Sequence, residues 1–257
     1  MLLHCFRIPD KLFKQQIFLR AWIQFVKSEE TPFTSSHSFR NFSLDSFPTW
    51  DHNWDKLLHK KNKGLKRFVL VRTGQSERKS AKTEGTVLSK LGERQAKSTG
   101  ERLKQLYPKL DSVICAPLLC CQKTAHIIVS EFKGKQPNID FSKNSSFIEV
   151  PLPADPPIPN KITDEIMMYR GLPLIEAAFR NVCYRPVKDG LVSHLIVAES
   201  NFIRFFICRA LQLPIDHWVR FTVKHCSISE VFVQFDGSVR LRCVGEAAHL
   251  LKDLRSC

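Results

Sequence analysis

The chain has 257 residues, a hydrophobic share of 43% and a formal net charge of +14. Such a length and apolar content support one α/β domain with an extension and a sizeable core, and exclude disordered and fibrous classes. The basic excess suits a phosphorylated partner, an anionic surface or a mitochondrial address; no helix or aromatic platform of the usual readers is present, so nucleic acid is not an expected partner.

Residues 1–28 read as an amphipathic, acid-poor helix. Gln16, Arg20, Gln24 and Lys27 form a polar stripe, while Phe13, Ile17, Ala21 and Phe25 share another face. The pattern suits a mitochondrial presequence or a helix lying on a membrane, with a docked or disordered terminal helix as the alternative. The apolar run 17–26 is too short to span a bilayer and carries Arg20. Residues 29–65 read as a linker rich in Ser, Thr and Phe, containing WDHNWD at 50–55 and a basic stretch from 56. The folded domain is expected over 66–257.

Within it, 68–72 is an apolar strand that ends in Arg72. A helix follows over 89–107, with Ser89 as N-cap, then a strand over 112–116 and a helix over 118–132. Residues 133–161 form a long connection rich in Pro and Gly. Next come a helix over 162–183, with Met167, Met168, Leu174, Ile175 and Phe179 as core candidates, a strand over 191–198 and a helix over 201–211. Two last strands, 228–235 and 239–244, form a hairpin across Asp236-Gly237. Alternating strands and helices predict a mostly parallel sheet covered on both faces, with ligands at the carboxyl ends of its strands. Those ends carry Arg72-Thr73, Cys115-Ala116 and Ala198-Glu199.

The nine cysteines are odd in number and irregularly spaced, without a C-x-x-C pair. They read as reduced residues, several of them in apolar runs, in a reducing compartment. With no H-E-x-x-H or similar set, neither a metal nor a cofactor is expected.

LSKLGERQAKSTGERL at 88–103 resembles the T-x-x-G-x-x-Q-A helix of the histidine phosphatases, the phosphoglycerate mutase superfamily. IEAAFRN (175–181), ADPP (154–157), FIRFFICRALQLP (202–214) and WDHNWD resemble its mitochondrial serine/threonine protein phosphatase branch. The resemblance covers about 50–244. It implies a three-layer α/β fold with a mostly parallel central sheet, helices on both faces and a C-terminal β-hairpin. It also implies a phosphohistidine reaction: a neutral histidine attacks phosphorus, two arginines and a second histidine hold the oxygens, and a carboxylic acid protonates the leaving group.

Carried over residue by residue, the first arginine is Arg72. The nucleophilic histidine falls on Thr73, in R-T-G. The second arginine, of S-x-x-x-R-A-x-E-T, falls on Cys120 in APLLCCQKT, and the second histidine falls on Glu199 in AESN. The acid aligns with Ile148, and Glu149 could serve only with a one-residue shift. A carboxylate about 4 Å from a phosphoryl dianion costs on the order of 4 kcal/mol per charge pair near a surface. No cysteine has an arginine six residues on, so a cysteine-phosphatase loop is absent. The expected molecule is therefore a pseudophosphatase. Trp50, Asp51, Asn53, Trp54 and Asp55 of WDHNWD are expected, by the resemblance, to join subunits. Expected partners are copies of this chain or an active paralogue, phosphoproteins and a membrane surface. The expected location is mitochondrial, with outer-membrane association, or else cytosolic. A serine/threonine-protein phosphatase with residual activity and a phosphoprotein-binding scaffold are the alternative functions.

Overall fold

A computed structural model describes residues 50–60, 63–77, 86–132, 140–143 and 165–257. The expected opening helix, Ile148, Glu149 and the ADPP segment lie outside the described residues.

Six strands form one sheet. In chain order they are β1 (Gly64–Arg72), β4 (Ser112–Cys115), β5 (Asp140–Lys143), β6 (Gly190–Ala198), β7 (Ile228–Gln234) and β8 (Val239–Glu246), while β2 (Ser76–Glu77) and β3 (Val87–Leu88) pair separately. The spatial order is β5-β4-β6-β1-β7-β8. The β5–β4, β4–β6 and β6–β1 pairs are parallel, and β7 and β8 are antiparallel additions. Helices α1 (Lys90–Leu106) and α2 (Leu119–Ser130) pack on each other, as do α3 (Glu165–Val182) and α4 (Ser200–Ala210). The sheet flanked by helices is the expected three-layer arrangement.

The central strands are buried on both faces, and so their sequences are unbroken apolar runs. Phe68, Val69, Leu70 and Val71 of β1, and Leu195, Ile196, Val197 and Ala198 of β6, are all sealed from solvent. β1 begins at Gly64, four residues ahead of the expected 68. The basic residues there find partners inside the fold. Lys66 is buried with its ammonium 3.0 Å from the Tyr184 ring centroid, and burial pulls its pKa down to about 8. Arg67 pairs with the buried Glu230 at 3.2 Å, and Arg242 reaches the same carboxylate at 2.7 Å.

Two further expectations are corrected. The connection 133–161 contains the edge strand β5. Leu174, expected in the core, is 52% exposed, whereas Ile175 and Phe179 on the same helix are buried. The side chains of Met167 and Met168 lie outside the described residues. Ser89 caps α1 as expected, its hydroxyl accepting from the Gly92 amide at 3.0 Å. The turn after β7 holds Gly237 at φ +84, a conformation that favours glycine. Among the described residues none of the eight cysteines forms a disulfide.

Candidate functional site

Four neighbouring strands deliver the site. β4, β6 and β1 end together, with Cys115 opposite Val197 and Arg72 opposite Ala198. β7 runs the other way, so its first residue, Ile228, pairs with Val71 and the segment before it lies beside Arg72.

The buried Arg72 donates from Nη1 to the Val223 carbonyl at 2.6 Å. Its Nη2 lies 3.1 Å from Nε2 of His225, whose Nδ1 is 3.0 Å from Ser256 Oγ. With Arg72 as donor, His225 carries its proton on Nδ1 and gives it to Ser256. Ser256 Oγ also accepts from Gln95 Nε2 at 2.8 Å, and Gln95 Oε1 accepts the Gln75 amide at 2.9 Å. The α1 motif thus braces the site. Ser89 starts the helix and Gln95 ties the turn after β1 to the C-terminal tail. Gly92 lets that turn approach, since a Cβ there would stand 2.2 Å from the Gln75 carbonyl oxygen.

Thr73, Cys120 and Glu199 converge. Cys120 and Cys121 open α2, and Glu199 stands at the N-cap of α4 with its side chain making no cap bond. The carboxylate turns to the sulfurs instead: Glu199 Oε1 accepts from Cys120 Sγ at 3.5 Å and from Cys121 Sγ at 3.6 Å. The Thr73 hydroxyl lies 3.2 Å from that of Thr124, which donates to the Cys120 carbonyl at 2.8 Å. The Cys121 thiol, with the Thr86 and Thr73 hydroxyls, surrounds Cys120 sulfur and draws its pKa down to about 6 against the opposing effect of burial. The Cys121 thiol is pushed well above the usual range by its bond to Cys120, by burial and by the Glu199 charge.

Residues 68–149 match the family model of the histidine phosphatase superfamily, branch 1. The chain is 30% identical over 235 residues to the mitochondrial serine/threonine-protein phosphatase Pgam5 of Drosophila persimilis, covering 80% of each chain. The chain belongs to the histidine phosphatase superfamily. The Drosophila melanogaster Pgam5 is 27% identical over 265 residues, covering 91% of this chain and 89% of that protein. Among solved structures, a Plasmodium falciparum phosphoglycerate mutase superposes with a TM-score of 0.53 at 26% identity, over 74% of this chain and 96% of its own.

In this histidine phosphatase fold the resemblance-derived positions therefore fall at the strand ends where ligands are bound. Thr73, Cys120 and Glu199, which the sequence resemblance aligned with the nucleophile, the second arginine and the second histidine, converge beside the strand end that carries Arg72. His225 and Cys121 join them without having been assigned roles. His225 lies three residues ahead of β7, and only the antiparallel pairing of β7 beside β1 brings it to Arg72. His194, by contrast, is a structural residue: its Nδ1 lies 2.6 Å from Ser112 Oγ and its ring stacks on Phe68 at 5.3 Å.

WDHNWD lies at the other end of the sheet. Asp55 accepts from Arg185 Nε at 2.9 Å and from its backbone amide at 2.7 Å, with both side chains sealed from solvent. Trp54 donates from Nε1 to the Gly237 carbonyl at 2.8 Å and packs on Phe179. Asp51 exchanges backbone bonds with the Gln212 side chain at 2.8 and 2.9 Å. Trp50 is half-buried, and Asp51, His52 and Asn53 are exposed. No described helix is long and apolar enough to cross a membrane.

Proposed function

We propose that this chain is a mitochondrial pseudophosphatase, a catalytically inactive relative of the Pgam5 phosphatases that acts as an assembly or regulatory subunit. One observation carries the reading: two sulfurs and a carboxylate bond to one another where the family holds imidazole and guanidinium. A phosphomonoester, close to doubly negative at neutral pH, meets a carboxylate there instead of a donor. The Thr73 hydroxyl is bonded to that of Thr124, which cannot serve as its base. His225 turns its Nε2 lone pair to Arg72, and an imidazole nucleophile needs that lone pair for phosphorus.

The mitochondrial location is drawn from the relatives' names, and an outer-membrane attachment from residues 1–28. The exposed face of Asp51, His52 and Asn53 supports assembly with copies of this chain or with an active paralogue. The decisive comparison is phosphopeptide turnover by the purified full chain and by a Thr73→His, Cys120→Arg, Glu199→His triple variant. The wild type is expected to be silent and the triple variant to gain turnover. The buried Arg72 favours a second reading, residual serine/threonine phosphatase activity. Wild-type turnover abolished by Arg72→Ala supports that reading and sinks the first, and phosphopeptide binding without turnover points to a phosphoprotein scaffold.

A further inference from the structure

We propose that Cys120, Cys121 and Glu199 bind a soft divalent cation of the zinc type, held by two thiolates and one carboxylate with the fourth position open. The three ligating atoms lie within 4.8 Å of one another. Bond lengths of about 2.3 Å to sulfur and about 2.0–2.2 Å to oxygen, at tetrahedral angles, set sulfur and oxygen about 3.5–3.7 Å apart. The observed separations from Glu199 Oε1 are 3.5 Å to Cys120 Sγ and 3.6 Å to Cys121 Sγ. Both sulfur–oxygen separations thus already match such a shell, and all three donors lie close enough to share one cation.

The donor type selects the metal. Paired thiolates favour zinc over magnesium or calcium, which take oxygen ligands. Three protein ligands with an open corner are the pattern of sites that admit water or a substrate oxygen. Two thiolates and a carboxylate carry three negative charges against two positive ones.

The surroundings hold the ligands in place. The Thr124 hydroxyl anchors the Cys120 carbonyl at 2.8 Å and itself accepts the Gly74 amide at 3.2 Å. Thr86 Oγ1 lies 3.6 Å from Cys120 Sγ, an outer partner for a thiolate. Both helices that supply ligands direct their first turns at the site, which favours negative ligands.

Oxidation is a poorer use of the same pair. Consecutive residues have Cα atoms about 3.8 Å apart, short of the ~4.4–6.8 Å span of disulfides. Metal entry displaces the protons that the two sulfurs carry, which pass to the buffer, so the exchange balances as one divalent cation in and those protons out. The assignment does not depend on whether the chain turns over phosphate.

The test is a Co2+ titration of the full, reduced, metal-stripped chain, followed by Zn2+ competition. One equivalent is expected to give a thiolate-to-cobalt charge-transfer band and tetrahedral visible bands, both erased by Zn2+. Cys120→Ser and Cys121→Ser are expected to abolish the charge-transfer signal of this site, and Glu199→Gln to weaken binding more than ~10-fold. Cys257→Ser and Cys243→Ser, elsewhere in the chain, are expected to bind like the wild type. X-ray absorption of the zinc-loaded wild type, which needs no variant to fold, is expected to show two sulfur ligands with oxygen completing the shell. A silent titration, a band that survives Cys120→Ser or Cys121→Ser, or a zinc shell without sulfur overturns the proposal.

Discussion

At the amino end of β1, the polar groups of Trp54 and Asp55 in WDHNWD are consumed in holding the fold together. Arg185 and Asp55 meet face to face inside it, and Trp54 donates to the Gly237 carbonyl. At the carboxyl end, nine residues along the strand, the polar groups of Thr73, Cys120, Cys121 and Glu199 close on one another. The first set explains why the chain is stable with a buried charge. The second contributes no capping bond from the Glu199 side chain and lies where a ligand would bind. Structure and candidate chemistry thus sit at opposite ends of one sheet, so side chains at the strand ends can change without touching the bonds that hold the other end.

The largest effect is expected at the structural end. Asp55→Ala strands the sealed Arg185 guanidinium, at a cost of about 3–5 kcal/mol. It also removes an acceptor for the Leu57 and Arg185 amides. Chemical denaturation of the full chain measures it. A loss below about 1 kcal/mol would mean that water reaches Arg185 and that this end is not the structural one. Cys120→Ser, a small change at the other end, is expected to leave the denaturation midpoint close to the wild type in the absence of metal.

A smaller effect comes with acid. Burial, helped by the nearby Lys66 charge, lowers the His194 pKa from its usual value to about 4. The unfolded ring therefore takes up a proton at a higher pH than the folded one. Its contribution is present above the unfolded pKa near ~6.5 and is lost as pH falls toward about 4. The loss is on the order of 2 kcal/mol, below the full linkage value because part of the ring meets solvent. Stability measured across this window is expected to fall less steeply in His194→Asn, which has a short side-chain acceptor for Ser112. An unchanged slope would assign the acid sensitivity to other groups.

How far the sequence was legible follows the range of each interaction. Arg72, Thr73 and Glu199 could be placed because each ends or follows an apolar strand, and strand ends in an alternating α/β chain share one edge, whereas Cys120 was placed by the resemblance of APLLCCQKT to a family motif. The Ser89 cap signal was local to one helix and marked its start. The edge strand β5 was missed because DFSK is short and polar, with little alternation to betray it. Leu174 was assigned to the core because a helix with nearly continuous apolar residues does not say which face is inward; Pro173 precedes it and Ile175 takes the buried place. His225 and the Cys121–Glu199 contact depended on strand order and on residues 78 apart in sequence, which no local pattern encodes.

The smallest effect separates two tryptophans that the hexapeptide makes look alike. Trp54→Phe keeps an aromatic ring against Phe179 but deletes the 2.8 Å bond to the Gly237 carbonyl. One lost hydrogen bond of this kind costs about 1 kcal/mol. Trp50→Phe keeps a ring at a half-buried position beside exposed Asp51, and its stability is expected within about 0.5 kcal/mol of the wild type. Sedimentation of the same two variants asks a different question, since an assembly contact built on the exposed side of the hexapeptide responds to Trp50 and not to Trp54. If Trp54→Phe changes the size of the particle while leaving its stability alone, the structural end of the sheet is also a binding end, and the division between the two ends fails.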